Sequence, residues 1–233
     1  MLELENVNTH YGKSHVLHDV SITVDDGEIV GLFGRNGAGK TTTLRSITGL
    51  QPPTSGAVYV DGEDVAGQDV TTIAKKGIRI VLEDRRPFPE LTVAENLSLS
   101  VDTSFGSEWT IDRVLDVLPR LEERFDQKAG HLSGGEQQML VIAQALVGNP
   151  RLVLLDEPME GLAPQIVKDI VNIIRQINRA GMPILLVEQN FDVCLELIDR
   201  GYLIHKGEIK LAGERARFEA EPEEIERYLG VKV

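Results

Sequence analysis

Residues Gly34, Arg35, Asn36, Gly37, Ala38, Gly39, Lys40 and Thr41 have the spacing GxxxxGKT, and they stand between two quite different runs. The run before them, 28–33, is apolar and short enough for a buried strand. The run after them, 41–50, has helical character and ends at Gly49 and the Pro52-Pro53 pair. A strand, a glycine-rich turn and a helix in that order leave little choice of fold, because they form a loop whose backbone N–H groups point inward at phosphate oxygens. The helix N-terminus adds partial positive charge at the same place. The whole stretch through Thr42 would therefore cradle a nucleoside triphosphate. Lys40 would reach the β- and γ-phosphates, and the Thr41 hydroxyl would ligate the Mg²⁺ that bridges them.

A phosphate loop needs carboxylates opposite it. The segment Arg151-Leu152-Val153-Leu154-Leu155-Asp156-Glu157 is an apolar strand ending in two of them. Asp156 would enter the Mg²⁺ sphere, and Glu157 would polarise the water that attacks the γ-phosphate.

The surrounding pattern is α/β. Residues 2–7 and 16–24 read as strands with hairpin signals, and 56–60 and 78–82 as further strands. From about 89 to 148 the periodicity becomes helical, with Val114, Leu115, Leu118 and Leu121 on one stripe and Pro119 set to interrupt it. From Arg151 onward strands and helices alternate: 152–155, a helix at 164–179, 184–187, a helix at 191–198. A hairpin over 201–211 and a short acidic helix to Leu229 close the chain. This order implies a mostly parallel sheet core with an N-terminal antiparallel β subdomain and an α-helical insertion. One domain of 1–233 is expected, with 1–88 and 149–233 as the nucleotide-binding core and about 89–148 as the insertion.

Composition excludes several classes of function. With 24 basic and 37 acidic residues the net charge is −13, which opposes nucleic acid as a partner. The one cysteine, Cys194, allows no internal disulfide and reads as a small buried apolar side chain. No signal peptide is visible in residues 1–5, and no apolar run nears the roughly 20 residues that cross a bilayer. A cytoplasmic protein is expected.

Leu132-Ser133-Gly134-Gly135-Glu136-Gln137-Gln138 opens a second helix with a natural N-cap and two glycines that bare backbone N–H groups. One nucleotide needs one phosphate loop, so a second anion-binding helix start suggests a nucleotide shared between two subunits. With GRNGAGKT, LSGGEQQ and LVLLDEP in this order, the chain resembles the ATP-binding-cassette (ABC) ATPases over nearly its full length. The resemblance implies a P-loop NTPase fold of the ABC type and hydrolysis of ATP with Mg²⁺. It also implies a head-to-tail homo- or heterodimer in which Ser133, Gly134, Gly135 and Glu136 of one subunit complete the site on the other. Tyr11 matches the family's adenine-stacking aromatic.

Further likeness lies in departures from the family's pattern. Glu83 stands where a glutamine is usual, Gln189 where a histidine is usual, and Ala163 where a loop usually bears aspartate. These, together with the opening residues 11–17, look like the ATPase of branched-chain amino acid importers, specifically its shorter, LivF-type subunit. The likeness implies permease partners in the membrane, an extracytoplasmic binding protein acting through them, and a place on the inner face of the cell membrane. Glu83 would add a carboxylate near Mg²⁺. Gln189 would still donate an amide hydrogen bond to the γ-phosphate but cannot titrate. Other cargoes such as urea, amides or other amino acids stay open, as does a non-transport ATP-driven clamp, which the acidic charge disfavours.

Overall fold

The computed structural model describes residues 1–229. Strands β1 (Leu2–Tyr11) and β2 (Ser14–Val24) form a hairpin closed by Gly12, and β3 (Ile29–Phe33) leads into the phosphate loop. Helix α1 (Lys40–Ile47) leaves that loop. It is shorter than the sequence suggests, because Thr48 bonds back to Leu44 O and Gly49 then turns at φ 74°. Strands β4 (Ser55–Val60) and β5 (Glu63–Asp64) and helix α2 (Val70–Ala74) follow. Helix α2 was invisible in the periodicity; it is one short turn held by the Asp69 side chain, which accepts from Thr71 N and Thr72 N.

After β6 (Ile78–Val81) the chain turns helical: α3 (Val93–Ser98), α4 (Ile111–Val117), α5 (Pro119–Glu122) and α6 (Gly134–Leu146). The break between α4 and α5 falls at Leu118, whose φ of −126° and ψ of 62° accommodate Pro119 at the next helix start. Then come β7 (Leu152–Asp156), α7 (Pro164–Arg179), β8 (Ile184–Glu188), α8 (Phe191–Leu195), β9 (Arg200–His205) and β10 (Glu208–Glu214). The acidic tail is two helices instead of one, α9 (Arg215–Ala220) and α10 (Pro222–Leu229), because Pro222 cannot extend the first.

Two sheets result. One is antiparallel in the order β2-β1-β4-β5; the other has the order β10-β9-β3-β8-β7-β6, parallel except for β10. Every residue of β3, β7 and β8 is buried, which is why these strands are apolar without alternation. One core fills the space between the sheets around α1, with Leu4, Val20, Leu32, Leu44 and Val187. The other packs the opposite face of the parallel sheet against α6 to α10, with Phe33, Ile142, Ile170 and Phe218. Trp109 and Cys194 are buried packing residues. The C-terminal ends of β3, β7 and β8 therefore sit side by side, and the loops leaving them carry the site. Among the described residues no helix is long and apolar enough to cross a membrane.

Candidate nucleotide site

The loop after β3 is shaped by glycine. Gly37 and Gly39 have φ of 78° and 116°, and a Cβ on Gly34 would lie 2.5 Å from Ile204 O. The Ala38 N–H donates to Arg35 O at 3.0 Å, and Gly207 N–H donates to Ala38 O at 2.8 Å, which pins the loop to the β9–β10 turn. Lys40 is buried at the start of α1, its Nζ donating to Gly34 O at 2.7 Å and Arg35 O at 3.2 Å. The same Nζ lies 3.0 Å from Glu157 Oε1. Beside this pair, Thr41 Oγ1 donates to Asp156 Oδ1 at 3.2 Å.

A cleft of about 300 Å³ opens here. Asn36, Gly37, Gly39, Lys40, Thr41 and Thr42 line one wall, and Val16, Glu83, Glu157 and Glu160 the rest. Gly34, Arg35 and Ala38 shape the loop from behind. Burial pushes the Asp156 carboxyl up to about 6, with the charges of Glu157 and Glu83 adding to the effect and the Thr41 hydroxyl opposing it. Negative charge is thus concentrated where a divalent cation would relieve it. No group of three His, Cys, Asp or Glu among the described residues forms a metal cage. A carboxylate and a hydroxyl on adjacent elements are instead the pair of protein ligands that suits Mg²⁺ carried in by phosphates.

Glu157 follows β7 with φ of 47°, an uncommon conformation for a side-chain-bearing residue, and its N–H donates to Val187 O at 2.9 Å. Burial pushes its carboxyl up, but hydrogen bonds with Glu160 and Lys40 outweigh that and hold it below its ordinary value. Glu160 was not singled out in the sequence. Its carboxyl is pushed up to about 7, first by the hydrogen bond it shares with Glu157, then by burial and the charges of Glu157 and Glu83. Its only sequence signal is position: three residues beyond Glu157, across a turn in which Glu160 N–H donates to Glu157 O at 3.1 Å.

Gln189 leaves the end of β8 and shares with Glu157 and Glu160 one end of a groove of about 990 Å³ that runs between α7 and α8. Ala163 is the residue preceding α7. Tyr11 ends β1, where it is 39 % exposed with its ring free to stack, and it does not line the cleft. Ser133, Gly134, Gly135 and Glu136 do not line it either. They build a capping box at the start of α6: Ser133 Oγ accepts from Glu136 N–H, and the Glu136 carboxylate accepts from Ser133 N–H at 2.8 Å and Ser133 Oγ at 2.7 Å. Gly135 leaves no room for a side chain, since a Cβ there would meet Ile166 at 2.6 Å. The fold thus brings the phosphate loop, Glu83, Asp156, Glu157 and Gln189 to one end of the parallel sheet and leaves the start of α6 out of the cleft lining.

Residues 17–160, more than half of the chain, match the family described as ABC transporter. The chain is 45 % identical over 232 residues to the high-affinity branched-chain amino acid transport ATP-binding protein BraG of Pseudomonas aeruginosa, covering 99 % of this chain and all of that protein. It is 34 % identical over 234 residues to the lipopolysaccharide export system ATP-binding protein LptB of Escherichia coli, covering 98 % and 97 % of the two. A solved structure of the ADP conformation of an ATP-binding cassette from an ABC transporter superposes with a TM-score of 0.86 at 30 % identity, covering 99 % of both chains. The chain belongs to the ABC transporter family. It is an ATPase of the ATP-binding-cassette type.

Proposed function

We propose that this chain powers uptake of branched-chain amino acids, with Glu157 as the general base of ATP hydrolysis. The observation that carries the site assignment is the adjacency of two pairs, Lys40 with Glu157 at 3.0 Å and Thr41 with Asp156 at 3.2 Å. Lys40 would exchange the Glu157 carboxylate for the γ-phosphate of ATP, and Asp156 and Thr41 would hold Mg²⁺ instead of each other. Mg²⁺ supplies charge neutralisation on the β- and γ-phosphates. Glu157, released from Lys40, would then face the attacking water as acceptor, Gln189 would donate its amide to the γ-phosphate, and Glu83, which lines the cleft, would add its charge beside Asp156 where the metal would be held. Tyr11 stacks the adenine, and Ser133 to Glu136 close the site from a second cassette. The absence of those four residues from the cleft lining supports that dimer reading.

Coupling to transport requires membrane permeases, which place the chain on the inner face of the cell membrane, with an extracytoplasmic binding protein delivering cargo to them. Phe88, 59 % exposed in the proline-interrupted segment between β6 and α3, with Arg85 and Arg86 beside it, is the surface we assign to permease contact. The cargo reading is supported by the likeness to BraG along the full length of both chains. Vesicles holding the chain with membrane permeases test it directly. ATP-dependent uptake of leucine, abolished by Lys40→Ala, is expected; uptake of urea or an amide with none of leucine would contradict the cargo.

A further inference from the structure

Glu188 is the last residue of β8 and only 2 % exposed, yet the reaction proposed above does not use it. Its Oε1 accepts the Met159 backbone N–H at 3.2 Å, across from the other catalytic loop. The backbone N–H groups of Gln189 and Asn190 lie near enough to the same carboxyl to favour its ionised form. One buried carboxyl thus fastens the turn that starts with Glu157 to the end of β8, directly before the turn that carries Gln189.

The geometry gives this tie something to hold. Glu157 occupies a left-handed backbone conformation at φ 47°, which persists only where its surroundings impose it. The turn after it has two fastenings to β8, Glu157 N–H to Val187 O and Met159 N–H to Glu188. On the other side, the Asn190 side chain caps α8 by accepting from Val193 N–H, so a shift at Glu188 passes to that helix. The charged or titratable groups facing the carboxyl are Glu157 from the end of β7 and the buried Cys194 thiol from α8. Neither offers it a cation. An apolar residue would fill the site without that electrostatic cost, but it would leave the Met159 N–H short of its acceptor.

We propose that Glu188 is a positioning residue for ATP hydrolysis, its carboxyl tying the backbone at Met159 to the end of β8 from which Gln189 departs, so that Glu157 and Gln189 hold a fixed mutual geometry. The proposal rests on the assignment of those two residues to the reaction. A small misplacement of a reacting group costs rate far more than it costs ground-state binding. Loss of the tie should therefore lower kcat and spare KM.

The test uses the full chain with MgATP. Glu188→Gln keeps the shape but replaces one acceptor oxygen by a donor that faces N–H groups; Glu188→Leu removes the acceptors altogether. For Glu188→Gln a cooperative melt, an ATP KM within about twofold of the parent and a kcat about tenfold lower are expected. Glu188→Leu, where it folds, should lose at least as much. In a Gln189→Ala background Glu188→Gln should add less than about a twofold loss, because both act through one geometry. A kcat within about twofold of the parent for Glu188→Gln overturns the proposal, and so do losses that multiply independently in the double variant. A Glu157→Gln control separates the two readings. If it retains turnover, the site assignment fails; if it abolishes turnover while Glu188→Gln leaves kcat unchanged, only the tie fails.

Discussion

Burial raises the carboxyl groups of Asp156 and Glu188 behind the phosphate loop, and Glu188 shows the consequence for stability most simply. Its carboxyl is raised from an ordinary 4.5 to about 7, chiefly by burial, with the Met159 N–H opposing and the charge of Glu157 adding. The folded chain holds this proton more tightly than the unfolded chain does. The group therefore costs nothing below about pH 4.5, its cost grows as pH climbs from there to about 7, and above that it stays constant at on the order of 3 kcal/mol. Glu188→Gln removes that titration. Denaturant melts at pH 5 and pH 8 should show the variant gaining on the parent by a few kcal/mol between the two; a difference that does not change with pH would contradict it. Glu188 could not be read from the sequence, and neither could Glu160. Lys40, Thr41, Asp156 and Glu157 stand in motifs whose spacing is dictated by phosphate geometry. Glu188 and Glu160 are single carboxylates whose meaning depends on which loops the fold brings against them.

Elements were legible where one local rule governed them. Strands β3, β7 and β8 are unbroken apolar runs because both faces are covered, and α7 is an amphipathic stripe with Ile170, Ile173, Ile174 and Ile177 inward. Helix α2 and the division of the tail into α9 and α10 leave no periodic signal, because they are too short and are set by Asp69 and Pro222. The β9–β10 hairpin was legible as a hairpin, but its role was not. Gly207 at φ 79° donates to Ala38 O and accepts from His18 N–H, joining β2, the phosphate loop and the parallel sheet at one residue. A Cβ there would lie 2.0 Å from Val16 O. Gly207→Ala should destabilise the chain by about 2 kcal/mol or more and weaken ATP binding together with it, measured by denaturant melts and nucleotide titration. A loss of stability with ATP affinity untouched would show that the hairpin does not support the loop.

At the scale of the whole molecule, the division into an antiparallel sheet, a parallel sheet and a helical layer followed from the order of patterns along the chain. How the second anion-binding helix relates to the first loop did not, since nothing within one chain brings Ser133 to the cleft. The account makes each cassette half of two sites, with the γ-phosphate as the bond between copies. Glu157→Gln keeps the shape of the base but cannot accept the proton from water, so bound ATP should persist and hold two copies together. The decisive measurement is sedimentation of this variant with and without MgATP, alongside steady-state turnover. A doubling of mass on adding MgATP, with turnover reduced at least about a hundredfold, is expected. A variant that stays monomeric with MgATP bound, or that hydrolyses ATP at the parent rate, would contradict it.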